Sequence, residues 1–143
     1  MGCHITIEDN LKTLIRDYYK GMREERVAAL FLEEKDGIRK IVAFDVSRAN
    51  EMQSHSKKRV RLSGAQVARE LNCAVADSRD IIFVHNHPWP IFFFSIGDRQ
   101  SLAKLTAFAE MKALPVNIGI GIIIGRKMRV YIPKAEISET INL

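Results

Sequence analysis

Apolar and polar positions follow two different rhythms along the chain, and the changes of rhythm divide it into elements. After Asp9 and Asn10, both helix-capping types, Leu11, Leu14, Ile15, Tyr18 and Met22 recur three or four apart, which predicts an amphipathic helix over residues 9–23. Residues 26–33 form a short, nearly continuous apolar run, which predicts a buried strand. Glu34-Lys35-Asp36-Gly37 reads as a turn, because Asp-Gly tolerates the positive φ of a hairpin, and residues 38–46 are the return strand.

Residues 47–58 are polar without periodicity and are expected to be a loop, followed by a short strand at 60–62. Ser63-Gly64-Ala65-Gln66 has the spacing of a capping box, with a helix running to about residue 75 and burying Val67, Leu71 and Ala74. Residues 80–84 predict a central strand and 85–94 a loop. Residues 96–114 predict a helix burying Leu102, Leu105 and Phe108. Residues 116–124 and 128–132 form a final hairpin about a turn at 125–127, and the tail after Pro133 reads as weakly structured. The sum is an α+β fold: one mixed β-sheet flanked by helices, with hairpins at both ends. No repeat, low-complexity segment or linker divides the chain, so residues 1–143 are expected to form a single domain.

Composition changes this picture little: 47% of residues are hydrophobic and 27% charged, as in ordinary globular proteins. No apolar run approaches the roughly 20 residues that span a bilayer. Glu8 and Asp9 come early and no apolar leader segment precedes them, so no secretory signal is expected. Two cysteines, Cys3 and Cys73, are no disulfide framework and fit a reducing cytoplasm. The net charge of +5 is concentrated at Lys57, Lys58, Arg59 and Arg61, with Arg48 upstream. Such a cluster attracts phosphates or acidic proteins, or simply solvates a loop.

The chemistry lies between His85 and Asp98. Two histidines at i and i+2 leaving a strand point to one side, so both imidazoles reach one ion. A carboxylate 11 residues later, in the first turn of a helix, folds back as a third ligand. Three protein ligands leave a fourth tetrahedral position for water, the arrangement of a catalytic zinc. Ser95 and Asp98 also spell an S-x-x-D helix start, which is by itself a sufficient reason for both residues.

His85-x-His87-x7-Ser95-x-x-Asp98 resembles the motif of the JAMM (JAB/MPN+) metalloproteases, and His85-Asn86-His87-Pro88 is most similar to their RadC-like branch. The resemblance covers about residues 24–133, strong at the motif and weak elsewhere. It implies a JAB/MPN-type domain of cytidine-deaminase-like layout, Zn2+ held by His85, His87 and Asp98, and hydrolysis of a peptide or isopeptide bond. It further implies a glutamate ahead of the first apolar strand as acid/base. Glu25 fits, with Glu24 its immediate rival and Glu33 and Glu34 at the far strand end. Ser95 would stabilise the oxyanion. The implied partner is a protein or peptide substrate, one carrying a ubiquitin-like modifier included. RadC-type proteins are also linked by name to DNA repair, so a non-catalytic nucleic-acid module is the alternative, resting on the 57–61 cluster alone.

The sequence departs from that branch at Trp89-Pro90-Ile91-Phe92-Phe93-Phe94, where small polar residues are the rule. At least one phenylalanine is expected in the core. Trp89 and Phe93 are the candidates for a substrate-binding lip, since clustered exposed apolar area marks binding surfaces. The interval from Glu25 to His85 is also about ten residues longer than in RadC-like chains, which the polar loop at 47–58 can absorb.

Overall fold

The apolar runs assemble into a seven-stranded mixed sheet, ordered β1-β3-β2-β6-β7-β8-β9, with helices on both faces. The computed structural model describes residues 4–46, 52–55, 60–62, 64–87 and 93–143, of which 52–55, 60–62 and 64–65 are described by backbone alone. In chain order the elements are β1 (Ile5–Ile7), α1 (Asp9–Tyr19), β2 (Val27–Lys35), β3 (Ile38–Val46), β4 (Met52–His55), β5 (Val60–Leu62) and α2 (Gly64–Ala76). There follow β6 (Asp80–Asn86), α3 (Ile96–Met111), β7 (Ile118–Ile124), β8 (Lys127–Ile132) and β9 (Ile137–Asn142). Two pairs, β1/β3 and β6/β7, are parallel; the remaining neighbours in the sheet are antiparallel. Among the described residues no helix is long and apolar enough to cross a membrane.

Strand alternation sorts the core into two layers. Ala28, Leu30, Leu32, Ile82, Val84 and Ile123 face α1, whose Ile15 and Tyr19 close that layer. Ala29, Phe31, Ile81, Phe83, Ile120 and Ile122 face the other way, against Leu71 and Ala74 of α2 and Leu102 and Ala109 of α3. Each fully buried aliphatic side chain contributes on the order of 1.5–3 kcal/mol. The β2–β3 turn is as expected, with Asp36 and Gly37 both at positive φ (54° and 81°).

Several expectations are corrected. Residues 52–55 of the expected loop are strand β4, paired with β5 in a separate two-stranded sheet. The tail is ordered: a 3₁₀ turn at Pro133–Ala135 leads into β9, which pairs with β8 along its length. Helix α1 stops at Tyr19 rather than 23, and Leu14, about 100° round the helix from Ile15, is exposed. Helix α3 stops at Met111 rather than 114. Its buried stripe runs Leu102, Leu105, Ala109; Phe108 lies off the stripe and is exposed. Gln66 donates forward to Glu70 Oε1 (2.7 Å); Ser63, its expected capping partner, lies outside the described residues. Strand β6 extends through Asn86, so His85 is a strand residue and not part of a loop.

Candidate metal centre

Strand β6 delivers the histidines. Ile81 and Phe83 face α2 and α3, so His85 does too by alternation, and His87 follows just past the strand end. The His87 N–H donates to Ile123 O (3.0 Å), which keeps the chain alongside β7 for one further residue. Both rings are buried, and their Nε2 atoms lie 3.0 Å apart.

Strand β2 brings the first carboxylate. Val27 is opposite His85 in the antiparallel register, and Glu25 lies two residues before it, ahead of the strand's first rung. Glu25, His85 and His87 each place a ligand atom within 4.8 Å of the others.

Helix α3 brings the second. Ser95 Oγ accepts from the Asp98 N–H (3.0 Å) and Asp98 Oδ2 accepts from the Ser95 N–H (2.9 Å), a closed capping box. The same carboxylate meets the imidazoles, with Oδ1 3.4 Å from His85 Nε2 and Oδ2 4.0 Å from His87 Nε2. Capping and histidine contact therefore coexist in one residue. Burial pushes the Asp98 carboxyl up, but the His85 hydrogen bond and charge, with the Ser95 N–H and hydroxyl, outweigh it and hold the group at about 2.

Two imidazole nitrogens 3.0 Å apart share either a hydrogen bond, one ring donating its N–H to the other's lone pair, or a cation. Ligand atoms around a tetrahedral zinc with bonds of about 2.0–2.1 Å stand roughly 3.3–3.4 Å apart. The 3.0 and 3.4 Å separations come within a few tenths of an ångström of that, and the 4.0 Å one is longer. Imidazole and carboxylate are zinc donors of the catalytic type. The donor types suit such an ion; the two Asp98 distances run from different carboxylate oxygens, and Glu25 is the carboxylate with one ligand atom within 4.8 Å of both histidines.

No family model and no curated protein matches the chain. Function therefore has to be read from the centre and its surroundings.

Two clefts flank the histidines. One, of about 420 Å³, holds Glu25, His85 and Asp98 over an apolar floor that includes Val27, Val67 and Phe83. The other, of about 550 Å³, reaches His87 and Asn86 from the α1 side and is lined by Arg16, Lys20 and Arg126. The larger cleft holds neither carboxylate of the centre, so the smaller one is the better candidate for chemistry.

The rival glutamates are engaged elsewhere. Glu24 pairs with Arg26, Glu33 with Arg79 (3.0 Å), and Glu34 accepts from the Gly37 N–H (2.9 Å). Phe93 is 60% exposed, as a lip residue requires, whereas Phe94 is buried against Tyr131 and under the Arg129 guanidinium. Trp89, and Arg48, Lys57, Lys58 and Arg59 of the basic cluster, lie outside the described residues, as does the side chain of Arg61.

One residue was passed over by the sequence reading. Asn86 turns away from the histidines, as alternation requires, but it is not idle. Its Oδ1 accepts from the Arg26 N–H (2.7 Å) and its Nδ2 donates to Glu24 O (2.9 Å). Spacing alone held no sign of this, because the partner segment is some 60 residues away.

Proposed function

We propose that the chain is a zinc-dependent peptidase or isopeptidase of the JAMM type, with a JAB/MPN-type fold, acting in the cytoplasm on a protein or peptide substrate. The observation that carries this is the convergence of His85, His87 and Asp98, with Glu25 beside the histidines and sharing a cleft with His85 and Asp98. His85, His87 and Asp98 would hold the ion. A zinc bound there supplies a Lewis acid and a water acidified toward neutral pH. Glu25, partly exposed in the cleft, takes up the water's proton and passes it to the leaving amine. The cap at α3 uses only a lone pair of Ser95 Oγ, so the hydroxyl hydrogen stays available to the oxyanion developing on the substrate carbonyl. The apolar floor beside Glu25 suits an aliphatic side chain next to the scissile bond. In support of the fold, the glutamate-bearing and histidine-bearing strands are hydrogen-bonded neighbours, so sheet pairing itself brings base and ligands together.

The test is zinc content after dialysis. We expect about one zinc per chain in the wild type and none in His87→Ala, since a three-ligand site loses its ion with any ligand. Absence of zinc from both proteins, even after added metal, would reduce the centre to a histidine pair and a helix cap.

A further inference from the structure

We infer that Asn86 is a positioning residue for Glu25, acting as a side-chain splice that extends the β2–β6 pairing past its last backbone rung. This rests on the hydrolase reading of the centre and deepens it.

The backbone ladder between β2 and β6 ends with Val27 opposite His85. Beyond it the chain before Val27 has left the strand, and no backbone rung to β6 holds residues 24–26. A side-chain amide carries the same donor and acceptor as a peptide group. The Asn86 amide uses both: it accepts from the N–H of Arg26 at 2.7 Å and donates to the carbonyl of Glu24 at 2.9 Å. Residue 25 is thus bracketed on both sides by one side chain. Asn86 is 4% exposed, so these bonds are largely shielded from water. Tyr19 adds a third tie, its hydroxyl donating to Arg26 O (3.1 Å) from α1. With Glu24 and Arg26 pinned, the intervening Glu25 side chain is left on the face of His85 and His87, where its carboxylate stands.

The position is specific to asparagine. Aspartate lacks the donor for Glu24 O, and alanine lacks both groups. Because Asn86 lies between the two histidines, three consecutive residues, His85 and Asn86 of β6 and His87 just past its end, would set an ion's nitrogen ligands on one face and the placement of the base from the other.

Acetohydroxamate, which chelates zinc and gives its hydroxamic proton to an adjacent carboxylate, probes the centre without requiring a known substrate. Zinc-loaded wild type, Glu25→Gln, Asn86→Ala and the double variant are titrated, with zinc content and melting temperature recorded for each. We expect Asn86→Ala to keep its zinc and to bind hydroxamate about tenfold more weakly, within the range for residues that orient metal-site groups. The double variant should bind no more weakly than Glu25→Gln, because the two changes remove the same interaction. In metal-free protein the Arg26 amide should exchange with solvent faster in Asn86→Ala than in the wild type. Wild-type hydroxamate affinity in Asn86→Ala, or losses that add in the double variant, would overturn the inference. If Asn86→Ala does not fold, Asn86→Ser, which keeps one hydrogen-bonding group, carries the same comparison. A wild type that binds no zinc, or a Glu25→Gln that binds hydroxamate normally, would instead sink the hydrolase reading, and is a distinct result.

Discussion

At the scale of single residues, Asp98 does two jobs that substitutions can separate. As N3 of α3 it accepts from the Ser95 N–H, and as a carboxylate it stands 3.4 Å from His85 Nε2. Asn at 98 keeps an oxygen for the cap but loses the charge that zinc requires. Asp98→Asn should therefore lose zinc, and its metal-free form should melt a few degrees lower at neutral pH, because a carboxyl held at about 2 stabilises the fold while ionised. Ser95→Ala should instead retain zinc while destabilising the fold by about 1 kcal/mol, the usual cost of a lost N-cap. Zinc analysis and thermal melts of the metal-free proteins check both. Normal zinc in Asp98→Asn would leave Asp98 a cap only and make Glu25 the carboxylate beside the histidines. At this scale the structure separates Glu24 from Glu25 by contact: Glu25 places a carboxylate oxygen within 4.8 Å of the histidine ligand atoms, while Glu24 pairs with Arg26. Spacing along the chain could not choose, because it held no register between residues 27 and 85.

At the scale of elements, β7 decides how well the centre is held. Gly119 and Gly121 face the α1 layer, where other strands present isoleucine and valine. A Cβ on Gly119 would lie 2.7 Å from Tyr131 O and 2.8 Å from Ile132 Cγ1; one on Gly121 would lie 3.2 Å from Val84 Cγ2 and 3.3 Å from Arg129 O. Backbone oxygens cannot step aside, so Gly119→Ala should cost on the order of 1–3 kcal/mol, and Gly121→Ala clearly less. Urea unfolding of the two variants measures this. Equal losses would mean that β8 shifts to make room. The paired strands and helices around β7 were largely legible, because 3.6- and 2-residue rhythms report which face is buried. The three-residue β1 and the short β4 were not, since neither is long enough to show a rhythm. In β9 only Ile137 and Ile141 are buried apolar positions, four apart, a spacing that suits a helix as well as a strand; pairing with β8 decides it. The candidate ligands were legible for a local reason: fourteen consecutive positions, 85–98, contain them all. Asn86 was not, because its partners, Glu24 and Arg26, lie some 60 residues away in the segment just ahead of β2.

At the scale of the whole molecule, the two apolar layers are not uniformly dry, and the exception predicts how stability responds to pH. Glu70 lies on the buried stripe of α2, three residues after Val67 and four before Ala74, and is only 2% exposed. A carboxyl on an apolar stripe was visible in the sequence, but what faces it was not. Gln66 donates to its Oε1 and Arg69 adds a cation from the same helix, while Asp45 comes from β3 across the layer. Burial pushes the Glu70 carboxyl up, Asp45 pushes it further, and Arg69 and Gln66 only partly oppose this, leaving it at about 8. In the unfolded chain the same group titrates near 4.5. The folded state therefore holds a proton between these values that the unfolded chain has released. A state that binds more protons loses stability as pH rises, so this contribution is complete below about pH 4.5 and declines until pH 8. Glu70→Gln keeps the size and the hydrogen-bonding capacity without the titration, and its amide can donate to Asp45 as the protonated acid does. Melting curves of metal-free protein from pH 5 to 8.5 should show the wild type falling relative to Glu70→Gln, with the variant the more stable by a few degrees at the alkaline end. Parallel curves would mean that Glu70 is already ionised in the fold across this range. Removing metal first matters to the outcome, because zinc bound only by the folded state would add stability of its own and mask the slope.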